Sequence, residues 1–169
     1  MPFTPFHFGP GLLIKTLTGR MFWLTPFVTA NVLIDVEVLY YLWMRSRPFH
    51  RYAHSYLGGI VAGLLAGAGT FAVAMFVARV WPGRWSFLPT AKSSKPLLLF
   101  QSITAGLVGG ISHIFLDSLV HAEIEPFWPF ATGNELAGLV SGRIVYLSLV
   151  LFGLLGGCIW LQEYLAADR

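Results

Sequence analysis

The chain has 169 residues, 56% of them hydrophobic, 15% aromatic and 11% charged, with a formal net charge of +3 and a mean hydropathy of +0.67. Soluble domains carry about 25% charged residues, so this balance points to a membrane protein, and the length fits one domain. The small, scattered positive charge argues against nucleic acid as a partner, and the lone Cys158 excludes a disulfide within the chain.

The first residues, MPFTPFHFGPGLLIK, have no basic stretch ahead of their apolar part and no small-residue cleavage site, so they do not read as a removable signal. Gly9-Pro10-Gly11 opens a short helix, Leu12 to Leu17, which closes at Thr18-Gly19-Arg20. That helix is too short to span the bilayer and is expected to be interfacial or re-entrant. Four spanning helices are expected after it, at about 22–44, 55–80, 97–120 and 144–161. Together they predict an all-α, multi-pass membrane bundle. The first span carries Asn31, Asp35 and Glu37 and ends at Arg45-Ser46-Arg47-Pro48, whereas the second is almost wholly apolar. A polar loop with interfacial tryptophans, from Trp81 to Pro96, precedes the third. Before the fourth, a loop from Glu123 to Ser141 holds Phe127-Trp128-Pro129-Phe130, which reads as an interfacial belt or as an apolar lip for a lipid.

The third span ends in S-H-I-F-L-D-S-L-V-H, with His113, Asp117 and His121 at i, i+4 and i+8. Each step of four turns a helix by only about 40°, so these side chains share one face. Ionisable groups are costly inside a membrane helix and mark a functional site facing a cavity or a partner. Glycines mark where the helices meet: Gly59, Gly63 and Gly67 on the second span, Gly106, Gly109 and Gly110 on the third. Antiparallel packing through those faces places His54 beside His113 and Asp117. Asp35 lies toward the same end of the first span, with Asn31 one turn before it. If the short N-terminal helix descends from that end, His7 reaches the same depth, and so do all five histidines. Taken singly, His7 reads as an interfacial histidine, and His50 with His54 as a headgroup-level pair beside Arg51.

Imidazole and carboxylate ligands suit Zn²⁺ or another borderline divalent ion. The candidates are His7, Asp35, His50, His54, His113, Asp117 and His121, more than one ion would use. Either two or more ions bind, or some of these residues orient the others. Such an ion lowers the pKa of bound water toward about 7. Glu37 is offset from Asp35 by about 200° on a regular helix, which leaves it to bond to Tyr41, to orient a ligand or to accept the water proton. Arg51 can hold a phosphate or carboxylate through its planar fork. No nucleophile elbow, phosphate-binding loop or dinucleotide fingerprint is present.

The succession T-P-F-H, D-V-E, H-R-Y-A-H-S, H-I-F-L-D and P-F-W-P-F, running from Thr4 to Phe130, resembles the YdjM-like inner-membrane metal-dependent hydrolases. That family is similar in its His/Asp pattern to the zinc-dependent phospholipase C and single-strand nuclease group, helical enzymes with a multi-zinc site. The resemblance implies a metal-dependent hydrolase of phosphate esters or phosphodiesters, with His7, Asp35, His54, His113 and Asp117 as ligands. A site at headgroup depth meets lipids first, although a small phosphate ester can also reach it. Basic residues are in excess at the opposite end of the bundle (Lys15, Arg20, Arg79, Arg84, Lys92, Lys95 and Arg169 against Arg45, Arg47, Arg51 and Arg143). The positive-inside rule then puts the histidines on the extracytoplasmic side of a plasma (inner) membrane. Two other readings stand beside this one: a non-enzymatic metal- or haem-binding membrane protein, and a structural partner whose polar groups bond to one another. The aspartates suit a hard or borderline ion and give no help to bis-histidine haem.

Overall fold

The computed structural model describes residues 4–81 and 94–167, and every regular element among them is helical. A short 3-10 turn, Thr4–His7, leads into α1 (Phe8–Thr18), followed by α2 (Leu24–Trp43), α3 (Tyr56–Val80), α4 (Lys95–Val120) and α5 (Gly142–Ala167). Helices α3, α4 and α5 are each long and apolar enough to cross a membrane. The expected first span corresponds to α2, which has 20 residues and carries Asp35 and Glu37. Two boundaries differ from expectation. α1 begins at Phe8 rather than Leu12, because Pro10 falls in the first turn, where a missing N–H forfeits no intrahelical bond. α5 continues past Leu161 to Ala167. Most of the polar loop after Trp81 lies outside the described residues, as do Arg84, Lys92 and Arg169 from the charge comparison.

α4 is the central element. Half of its apolar window (50%) is buried, against 22% for α3 and 17% for α5, which leaves Leu64, Leu65, Leu147 and Leu151 facing outward. The α3–α4 contact is backbone against backbone. Gly59 meets Gly110, Gly63 meets Gly106, and Gly67 meets Ser102 and Ile103, so a Cβ on any of these glycines would run into the opposing chain. Ser102 Oγ donates to the Gly67 carbonyl at 2.7 Å across the same seam. On another side of α4, Gly109 lies against the Phe27 backbone of α2. α1 wedges between α2 and α5, with Gly9 on the Leu149 carbonyl, Gly11 on the Phe27 ring and Gly156 on the Leu13 backbone. These close approaches bring His7, the end of α2 and the start of α3 to the C-terminal third of α4.

Overpacking a tight contact costs about 1–3 kcal/mol when side chains can give way. Gly110→Leu has only backbone to push against, so it is expected to reach or exceed the top of that range. The readout is the melting temperature in detergent. Gly69→Ala, on the partner helix α3 with nothing within 4 Å of its Cβ direction, is the control and should leave the melt unchanged or slightly raised.

Candidate metal centre

Three chain segments deliver side chains to one buried point. α4 presents His113 and Asp117 one turn apart, both buried. α2 contributes Asp35 from the same end of the bundle. After α2 the chain turns back through a 3-10 turn, Tyr52–His54, and Ser55 then caps α3 by accepting the Gly58 N–H at 3.0 Å. That cap fixes His54 against α4 immediately before the helix begins.

His54 and His113 are fully buried, and their Nε2 atoms face the same two carboxylates. From His113 Nε2 the distances are 3.4 Å to Asp35 Oδ1 and 3.4 Å to Asp117 Oδ2. From His54 Nε2 they are 3.7 Å and 3.8 Å. One ligand atom from each of the four residues lies within 4.8 Å of the other three. His7 joins from the start of α1, with Nε2 3.2 Å from Asp117 Oδ1 and its ring stacked on His113 at 4.2 Å.

The outward-facing nitrogens decide how the inward ones are protonated. Glu37 accepts the backbone N–H groups of Arg51 at 2.9 Å and Ala53 at 3.0 Å, and its Oε2 lies 3.0 Å from His54 Nδ1. A carboxylate in that setting accepts only, so Nδ1 carries the proton. For His113 the partner is Asn31 Oδ1, 2.9 Å from Nδ1, and the amide is oriented by Asn31 Nδ2 donating to the Phe27 carbonyl at 2.8 Å. With both rings neutral, the Nε2 lone pairs aim at carboxylate oxygens, an arrangement that a shared cation would stabilise. Added protons would supply one through charge-assisted hydrogen bonds of about 2.7–2.9 Å. The separations are longer, and neither Nε2 has a hydrogen-bond partner among the described residues. Bonds of about 2.0–2.2 Å to a divalent ion give tetrahedral ligand–ligand edges near 3.4 Å, close to the spacing found.

The chain matches no protein-family model, no curated protein and no solved structure. The donor set therefore characterises this site on its own: a buried His/Asp group that can hold a metal ion.

The remaining candidates form a second, shallower group. His50 Nδ1 is 3.1 Å and His121 Nδ1 3.4 Å from the same oxygen, Glu123 Oε1. Burial, then the adjacent His54 and His121, pushes His50 down to about 4, so its imidazole is neutral near pH 7. Glu123 is a partner the sequence reading passed over, and its signal was the His121-x-Glu123 spacing just beyond Asp117. Of the roles open to Glu37, the geometry is that of orienting His54, since both of its oxygens are engaged. Tyr41 lies instead under the Arg51 guanidinium, 4.0 Å from ring centroid to Cζ. The Arg51 fork holds its own loop, with Nε on the Pro48 carbonyl at 3.1 Å and Nη2 on Ser46 Oγ at 2.9 Å. Arg51 nevertheless lines a cavity of about 490 Å³ together with Arg47, His50, Tyr52, Glu123 and Trp128. The aromatic loop contributes to that wall, because Trp128 packs on Tyr52 with ring centroids 4.8 Å apart.

Outer partners of ligand histidines are worth about 10–100-fold in metal affinity. Asn31→Ala removes the group that holds His113 Nδ1 and is expected to weaken any divalent-metal binding at this site by that factor, measured by competition with a chromophoric chelator.

Proposed function

We propose that this protein is a membrane-embedded, metal-dependent hydrolase of phosphate esters or phosphodiesters, with lipids the substrates its location favours. The supporting observation is the convergence of His54 Nε2, His113 Nε2, Asp35 and Asp117 on one point, with the two imidazoles oriented from behind by Glu37 and Asn31. Asp35, His54, His113 and Asp117 would hold the ion, Zn²⁺ being the best fit to a mixed imidazole–carboxylate set, and His7 would join through Asp117. When bound, such an ion lowers the pKa of water and polarises a phosphoryl oxygen. The residues of the chain align the ligands, exclude bulk water from the buried side and leave the cavity beside Arg47 and Tyr52 for the substrate. The resemblance to the YdjM-like hydrolases points the same way, and so does the expected placement on the outer side of a plasma membrane. Haem suits the centre less well, because the two Nε2 atoms face shared carboxylates where a macrocycle would need an open plane.

The test is hydrolysis of bis(p-nitrophenyl) phosphate, and of phospholipid in mixed micelles, by protein purified in detergent. Activity should vanish on chelation and return with Zn²⁺. A metal-loaded protein that is inert toward both substrates would overturn the hydrolase reading.

A further inference from the structure

His50, His121 and Glu123 take no part in the buried centre, yet the chain builds them into position with equal care. The segment His50-x-x-x-His54 supplies one histidine to each group, with ring centroids 4.6 Å apart. The end of α4 repeats the pattern, giving Asp117 to the buried group and His121 with Glu123 to the shallow one. Asn134 Nδ2 fixes that helix end by donating to the carbonyls of Ser118 and His121, each at 2.8 Å.

We propose that His50, His121 and Glu123 form a second divalent-cation site, which lies beside the buried one and opens onto the 490 Å³ cavity. The inference deepens the proposed function and rests on it only for the use to which the ion is put. Three protein ligands with an open fourth position are the pattern of a catalytic rather than a structural zinc. His50 is buried and its ring lies 4.6 Å from that of His121, so the two imidazoles form a fixed wall. His121 Nε2 is buried with no hydrogen-bond partner among the described residues, while its Nδ1 faces Glu123 Oε1 at 3.4 Å. The Glu123 side chain is 45% exposed and completes the site from the cavity side. An ion here would face the cavity lined by Arg47 and Arg51, beside the ion of the buried centre.

Metal stoichiometry tests this without reference to turnover. Protein loaded with Zn²⁺, dialysed and analysed by elemental mass spectrometry should retain two equivalents. Glu123→Gln and His121→Asn should each retain one and keep the wild-type melting temperature in the presence of chelator. One equivalent or none in the wild type, or two in both variants, would overturn the second site. Since Glu123 is half-exposed, its conservative replacement is expected to fold; the wild-type count decides the matter even if His121→Asn does not. Two ions without phosphodiesterase activity would keep this inference and sink the proposed reaction, and one ion with activity would do the reverse.

Discussion

Asp117→Ala is expected to strip the buried ion and to lower phosphodiesterase activity by well over the roughly 100-fold that loss of an outer partner costs. Asp117 reaches all three histidines of its group, with Oδ2 toward His54 and His113 and Oδ1 toward His7. Its removal leaves Asp35 alone facing the Nε2 atoms of His54 and His113 and takes away the carboxylate beside His7. Thermal melts distinguish a metal centre from a network of ion pairs. Bound metal stabilises the folded state by RT ln(1 + [L]/Kd), about 2.7 kcal/mol at a hundredfold excess over Kd. A chelator should therefore lower the melting temperature of the wild type by more than it lowers that of Asp117→Ala, which has already lost the buried ion. If the wild type ignores the chelator while Asp117→Ala costs the 3–5 kcal/mol typical of a broken buried pair, the residues bond to one another and hold no ion.

Much of this arrangement could be read from the sequence because membrane helices leave few ways to hide polar groups. The i, i+4 spacing of His113 and Asp117 fixes a shared face whatever the tertiary structure, and the glycine rows fix which face of α3 meets it. Depth follows from hydropathy, so His54 and Asp35 could be assigned to the level of Asp117 before any packing was known. Other features lay beyond that reasoning. A helical wheel puts Glu37 away from Asp35, and it reaches the site only because the chain after α2 doubles back and lays His54 and two backbone N–H groups on it. Asn31 was legible as a neighbour of Asp35 on α2 but not as the partner of His113, which depends on Gly109 letting α2 approach α4 closely. The division of the seven candidates into a buried and a shallow group depends on how the loop after α4 folds. A short run such as His121-Ala122-Glu123 has no periodicity to reveal that.

His54→Ala should empty the buried centre as thoroughly as Asp117→Ala, although His54 lies on a different chain segment from the α4 motif and precedes the first residue of α3. The comparison is informative because the local structure has independent support. Glu37 keeps its bonds to the Arg51 and Ala53 N–H groups, and Ser55 keeps its cap on α3. The lost side chain leaves a fully buried space shaped for an imidazole, with the Glu37 carboxylate at its rear wall. Free imidazole at millimolar concentration is therefore expected to restore part of the Zn²⁺ content and of the hydrolysis, while 1-methylimidazole, which cannot both donate to Glu37 and present a lone pair forward, should restore less. Full metal content in His54→Ala without added imidazole would remove His54 from the ligand set and, with it, the claim that the α3–α4 glycine seam exists to bring these two segments together around an ion.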